Sequence, residues 1–300
     1  EVIVPRSSTE WSEPFATYFK EQAASTREFA KRQRDEMARL MNSGELKRQT
    51  ATVYHNDAPS DVALRIYGIN KWANENDIDI AIHVHFNDNP RRNASLPGEY
   101  AGISIYVPEK QYSNSATTKS IADAISKRLT RYYPTSNMPQ ESDGIVEDQD
   151  LIAIGSHNSS DAPSMLIEYG YIYEPQFQRS EARHIILKDM AFQTYLGLQD
   201  FFGSGNDVTL SHDNLILPHT WDKDLSVADV VALQTALSEQ GLFPPEGETK
   251  VTCPRTGKFG PCTIESLKAF QKKYGITGEN GKIGEKTRTK LNEIFGLELL

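Results

Sequence analysis

The chain has 300 residues, with 32 Lys and Arg against 41 Asp and Glu and a formal net charge of −9. Hydrophobic residues make up 38% and charged residues 24%, which is enough apolar material for a core in a chain long enough for two domains. No apolar run approaches the ~18–20 residues of a membrane helix, and the dispersed basic residues of an acidic chain give no phosphate-neutralising face. No membrane-spanning helix is expected, and the charge balance argues against nucleic-acid binding.

In chain order, Glu1-Val2-Ile3-Val4-Pro5-Arg6 reads as a strand with no leader ahead of it, and the opening Glu points to a cut N-terminus. Ser25 to Leu46 is a charged helix with a thin apolar stripe of Phe29, Met37, Leu40 and Met41, and a second helix carries Val62, Ile66, Ile69 and Trp72 at helical spacing. Ile78 to Phe86 alternates apolar and polar residues as a strand does, and Gly102–Val107 is a further strand. A helix follows around Ser120–Arg131, and Tyr132–Asp150 reads as loop. Short strands are predicted at Leu151–Ile154 and Met165–Glu168, then a helix from Ser180 to Phe202. Alternating strands and helices predict an α/β fold with a mostly parallel sheet flanked by helices. Residues 205–224 lose periodicity and read as a linker. Leu225–Gly241, Thr263–Tyr274 and Glu285–Phe295 then form a small three-helix, all-α domain over 225–298.

Two places carry candidate chemistry. His83 and His85 stand at the end of a strand, where side chains two apart share a face and two imidazoles suit a zinc ion; ordinary polar residues at a strand end fit the same pattern. Glu168 closes the apolar run Met165-Leu166-Ile167, so its carboxylate needs a partner, a metal or a raised pKa, and a general base is one such use. A surface Glu that only looks buried is the alternative. His55, His157, His184, His212 and His219 lack ligand spacing and read as surface residues. Cys253 and Cys262 could pair in an oxidising compartment or remain two reduced thiols.

Both places resemble the zinc-dependent N-acetylmuramoyl-L-alanine amidases of the Amidase_3 type. Ala73-Asn74 followed by Ala81-Ile82-His83-Val84-His85 is similar to the family's Ala-Asn and Ser-Ile-His-Ala-Asn, and Leu166-Ile167-Glu168-Tyr169-Gly170-Tyr171 to its Leu-Val-Glu-x-Gly-Phe. The resemblance implies a catalytic domain over 1–204, with His83 as a zinc ligand, Glu168 as the catalytic glutamate and His85 as a second-layer partner or further ligand. The family's Gly-His-Gly-Gly turn and ligand Glu have no counterpart here. The resemblance therefore implies a fragment that lacks the first strand and helix, holds one of three zinc ligands, is inactive alone and carries an insertion at 10–60. The helical domain resembles the peptidoglycan-binding type 1 domain through Leu233-Gln234, Phe270-Gln271, Gly260-Pro261-Cys262-Thr263 and Gly284-Glu285-Lys286-Thr287.

Taken together, these resemblances imply a zinc hydrolase of the cell envelope, periplasmic or extracellular, that cuts the amide between N-acetylmuramic acid and L-alanine and is held on peptidoglycan by its small domain. A non-catalytic peptidoglycan-binding protein with a degenerate amidase domain is the alternative. A zinc carboxypeptidase using His83 and His85 as a His-x-His pair is a third reading, which the Glu168 motif disfavours.

Overall fold

The structure is a computed structural model that describes residues 1–6, 8–50, 53, 58–88, 92–203 and 216–296. Its centre is a four-stranded sheet of β1 (Ala81–Asn87), β2 (Ser104–Pro108), β3 (Ile145–Asp148) and β4 (Ser164–Tyr171), in the order β1-β4-β2-β3. β2 and β3 run parallel, with Ile105 opposite Ile145 and Pro108 opposite Asp148. β1 and β4 also run parallel, because the Ala81 N–H bonds the Pro163 carbonyl at one end and the Ile172 N–H bonds the Asn87 carbonyl at the other, both at 2.9 Å. Every residue of β2 is buried, as expected of an inner strand covered on both faces. The mostly parallel α/β architecture and the all-α domain read from the sequence are both present.

Contacts divide the chain into two compact units. The first comprises Glu1–His85, Ile105–Ala122 and Ile145–Ile167. Here α1 (Glu13–Glu21), α2 (Ala23–Ser43) and α3 (Ser60–Glu75) occupy the segment expected as an insertion and the helix after it. They pack through aromatic edges, with Phe15 4.8 Å from Trp72 and Phe19 4.8 Å from Trp11 between ring centroids. Buried Asn70 on α3 donates to the Ile152 carbonyl at 2.9 Å and to Ser159 Oγ at 3.0 Å, so the helix is tied to the loop that precedes β4.

The second unit comprises Phe86–Ser104, Asp123–Gly144 and Glu168–Leu300. It contains most of α4 (Ser115–Tyr132), then α5 (Pro175–Gln178), α6 (Ser180–Phe202), α7 (Val227–Glu239), α8 (Pro261–Lys273) and α9 (Glu285–Phe295). The last three enclose a core of Trp221, Leu233, Leu237, Leu267, Phe270 and Leu291. The repeated Gln and Thr positions have a structural cause. Gln234 donates to Thr263 Oγ1 and Gln271 to Thr287 Oγ1, both at 2.9 Å. Each amide oxygen accepts backbone N–H groups of the loop before the next helix, from Thr256 and Gly257 for Gln234 and from Gly281 for Gln271.

Three expectations need correction. Glu1–Arg6 forms no strand: Arg6 makes one isolated bridge to Trp11, and Val2, Ile3 and Val4 are exposed. Apolar alternation makes a strand only where an edge is available to pair with it. Leu151–Ile154 contains a 3₁₀ turn at Ile152–Ile154 rather than a strand, since the two N–H groups that open it, of Asp150 and Leu151, are taken by the Asp148 carboxylate at 2.7 and 2.8 Å. The strand that completes this edge is β3, inside the segment read as loop; its four residues alternate too briefly to stand out among the acids.

Candidate functional site

β1 stands at one end of the sheet order, and its middle is only partly covered. His83, half-buried, and His85, exposed, share one face of it, while Val84 between them is 64% exposed on the other. Burial and the neighbouring His85 push the His83 pKa down to about 4, against a hydrogen bond to the Ala153 backbone that raises it. His83 is therefore neutral near pH 7, with one ring nitrogen held by a backbone carbonyl; metal-ligating imidazoles are commonly oriented in this way. Desolvation also lowers the His85 pKa.

On β4, every residue is buried except Glu168, which is half-buried, and its Oε2 atom lies out of solvent contact. The strand thus presents one carboxylate out of an otherwise closed apolar run. Beyond it the chain turns at Gly170, whose φ of +138° suits glycine and whose added Cβ would meet Glu174 Oε1 at 2.7 Å. Glu174, buried, closes this turn. Its Oε1 accepts the N–H groups of Tyr171 at 2.7 Å and Gly102 at 2.9 Å, and its Oε2 accepts from Gln176 Nε2 at 2.7 Å. Burial raises the Glu174 pKa, although these three donors lower it.

The structure places His83 and His85 in the first unit on β1 and Glu168 in the second on β4. Among the described residues, no group of three or more His, Cys, Asp and Glu side chains is arranged to hold a metal ion. His83 suits a zinc donor in chemistry and protonation state, but these residues do not complete a ligand set around it.

The other histidines separate. His184 is exposed, as expected. His157 is half-buried at a φ of +59°, with Nδ1 2.9 Å from Tyr67 Oη, and His219 is half-buried with Nε2 2.7 Å from Asp229 Oδ1. Both correct the surface expectation, because polar sequence neighbours do not reveal a partner distant in sequence. His55 and His212 lie outside the described residues. The sequence reading missed Glu174, whose only signal is an acid three residues after Gly-Tyr.

A parallel-sheet α/β region presenting a carboxylate on a buried strand, followed by a compact helical module, defines the class of this chain as a two-part α/β protein with an appended helical domain. Residues 15–200 match the family model for N-acetylmuramoyl-L-alanine amidase (Amidase_3), more than half of the chain, and the chain belongs to that family. Residues 226–291 match the putative peptidoglycan binding domain. The enzyme class is therefore that of peptidoglycan amidases with a wall-binding domain. Among solved structures, the N-acetylmuramyl-L-alanine amidase Ami1 from Mycobacterium smegmatis is similar at 15% identity, over 59% of this chain and 76% of that one, with a TM-score of 0.36. The CwlD amidase from Clostridioides difficile, solved in complex with the GerS lipoprotein, is similar at 12% identity over 56% and 81%, with a TM-score of 0.36. No curated protein matches the chain.

Proposed function

We propose that this protein hydrolyses, with zinc, the amide bond between N-acetylmuramic acid and L-alanine of peptidoglycan, with Glu168 as general base and His83 as one zinc ligand. The observation that carries this reading is Glu168 itself, the half-buried carboxylate of an otherwise buried β4. A bound zinc ion would polarise the amide carbonyl and lower the pKa of a bound water to about 7. Glu168 takes a proton from the attacking water and delivers it to the departing amide nitrogen, so one carboxylate serves both halves of the reaction. His85 shares the face of His83 and contributes to the same site. In this reading residues 1–204 form the catalytic domain, 205–224 the connection, whose Trp221 packs into the core of the module, and 225–298 the wall anchor. The Cys253–Cys262 disulfide supports an oxidising location at the cell envelope, outside the cytoplasm.

The test assays release of stem peptide from purified walls and zinc content in the native protein. Glu168→Gln should lower hydrolysis by ~10²–10⁴-fold with zinc and wall binding retained, and His83→Ala should lose zinc. Glu168→Gln cutting as fast as the parent overturns the assignment. A parent that binds wall but neither holds zinc nor cleaves leaves only the anchoring role.

A further inference from the structure

We propose that the helical module is locked onto helices α4 and α6 of the α/β region through Arg255, so that wall binding and hydrolysis act from one fixed arrangement rather than through a loose tether. What the module binds rests on the reading above; the docking does not.

Arg255 is 3% exposed and Asp189 on α6 is 5% exposed. Arg255 Nη2 meets Asp189 Oδ2 at 2.6 Å, and Nη1 donates to Thr235 Oγ1 on α7 at 2.6 Å. The guanidinium carbon lies 4.6 and 4.7 Å from the ring centroids of Tyr132 at the end of α4 and Tyr133 just beyond it, and the Tyr133 hydroxyl donates to the same Asp189 oxygen. A single side chain from the module therefore engages the C-terminal end of α4 and the middle of α6. An ion pair taken fully out of water is retained only when geometry and further hydrogen bonds compensate the charges; here the Tyr132 and Tyr133 faces and the Thr235 and Tyr133 hydroxyls supply that compensation, while Arg255 Nε stays buried without a hydrogen-bond partner.

Around this centre the charges cross in both directions. Arg179, ahead of α6, donates to the Gly257 carbonyl of the module at 2.9 Å. Glu239 of the module accepts from Arg131 and Tyr132, and Lys250 donates to the Thr130 carbonyl. Opposite charges on each side fix register more than they add affinity. The loop bearing Arg255 is itself held in shape by the Cys253–Cys262 disulfide and by Gln234, so little ordering is needed on docking. Arg255 and Asp189 are positioning residues, remote in role from the chemistry.

Spin labels at the exposed positions His184→Cys and Lys272→Cys, with the native disulfide intact, report the arrangement as a distance distribution. The parent should give one narrow distance. Arg255→Ala should broaden it, and peripheral Arg179→Ala should broaden it less, which keeps the test available if Arg255→Ala folds poorly. In parallel, Arg255→Ala should lose about tenfold in cleavage of walls relative to a soluble muropeptide, a ratio independent of the fraction folded. A broad distribution in the parent, an Arg255→Ala distribution as narrow as the parent's, or an unchanged ratio overturns the proposal. The distances need no substrate, so a protein that fails to bind wall would overturn the module's assignment while these distances still decide the docking.

Discussion

The carboxylate of Glu174 accepts three hydrogen bonds at the turn that follows Glu168, two of them from backbone N–H groups with no competing solvent. Glu174→Ala leaves those donors buried and unpaired and should cost about 1–3 kcal/mol per group. Glu174→Gln keeps the accepting oxygen, and the buried Gln176 amide can turn to receive the new NH₂. Because the folded-state pKa of Glu174 lies above its ordinary value, its contribution to stability is full below the unfolded carboxylate pKa and is lost as pH rises through the folded one. Glu174→Gln should remove that fall, and urea denaturation of both proteins between about pH 4 and 7 checks it. At this scale the sequence singles out His83 and Glu168 as candidates because a two-residue period and a closing acid are local patterns. Glu174 was not, since its partners at Gly102 and Tyr171 are brought together only by the fold. Ala153 escaped notice for a different reason: its functional atom is a carbonyl that every residue type possesses.

Helices α4 and α6 approach each other at Gly197, where an added Cβ would lie 2.5 Å from the Ile125 Cα and 2.9 Å from its nitrogen. Ala at a helical Gly gains about 1 kcal/mol of propensity. Here it must push one helix off another's backbone, which does not yield as a side chain would, and such overpacking costs about 1–3 kcal/mol. A clash with backbone at 2.5 Å puts the steric cost at the upper end of that range, so Gly197→Ala should lower stability by up to about 2 kcal/mol net, and thermal unfolding followed by circular dichroism would show it as a reduced midpoint. Long elements such as α2, α4 and α6 were legible because several turns of apolar spacing accumulate into a signal. β3 was hidden because four residues hold too few alternations, and Glu1–Arg6 misled because alternation says nothing about whether a neighbouring strand is present.

Across the whole molecule, the least legible feature is the attachment of the module, because Arg255 and Asp189 stand 66 residues apart and each reads as an ordinary charged residue. The disulfide was partly legible: proximity in sequence allowed the pairing, and the structure forms it with Cα atoms 5.9 Å apart. Its position matters more than its presence, since the segment it closes carries Arg255 and Gly257, which meet Asp189 and Arg179, and Thr256 and Gly257, whose N–H groups hold the loop on the module's own Gln234. Closing so short a loop restricts the unfolded chain by about 2.5–3 kcal/mol. The paired variant Cys253→Ser/Cys262→Ser should therefore lose that amount in urea denaturation. If the bridge also orders the docking loop, the loss should grow larger in the intact chain than in a chain already carrying Arg255→Ala. Equal losses in the two backgrounds would mean that the bridge stabilises the module alone and that docking draws nothing from it, since independent sites add.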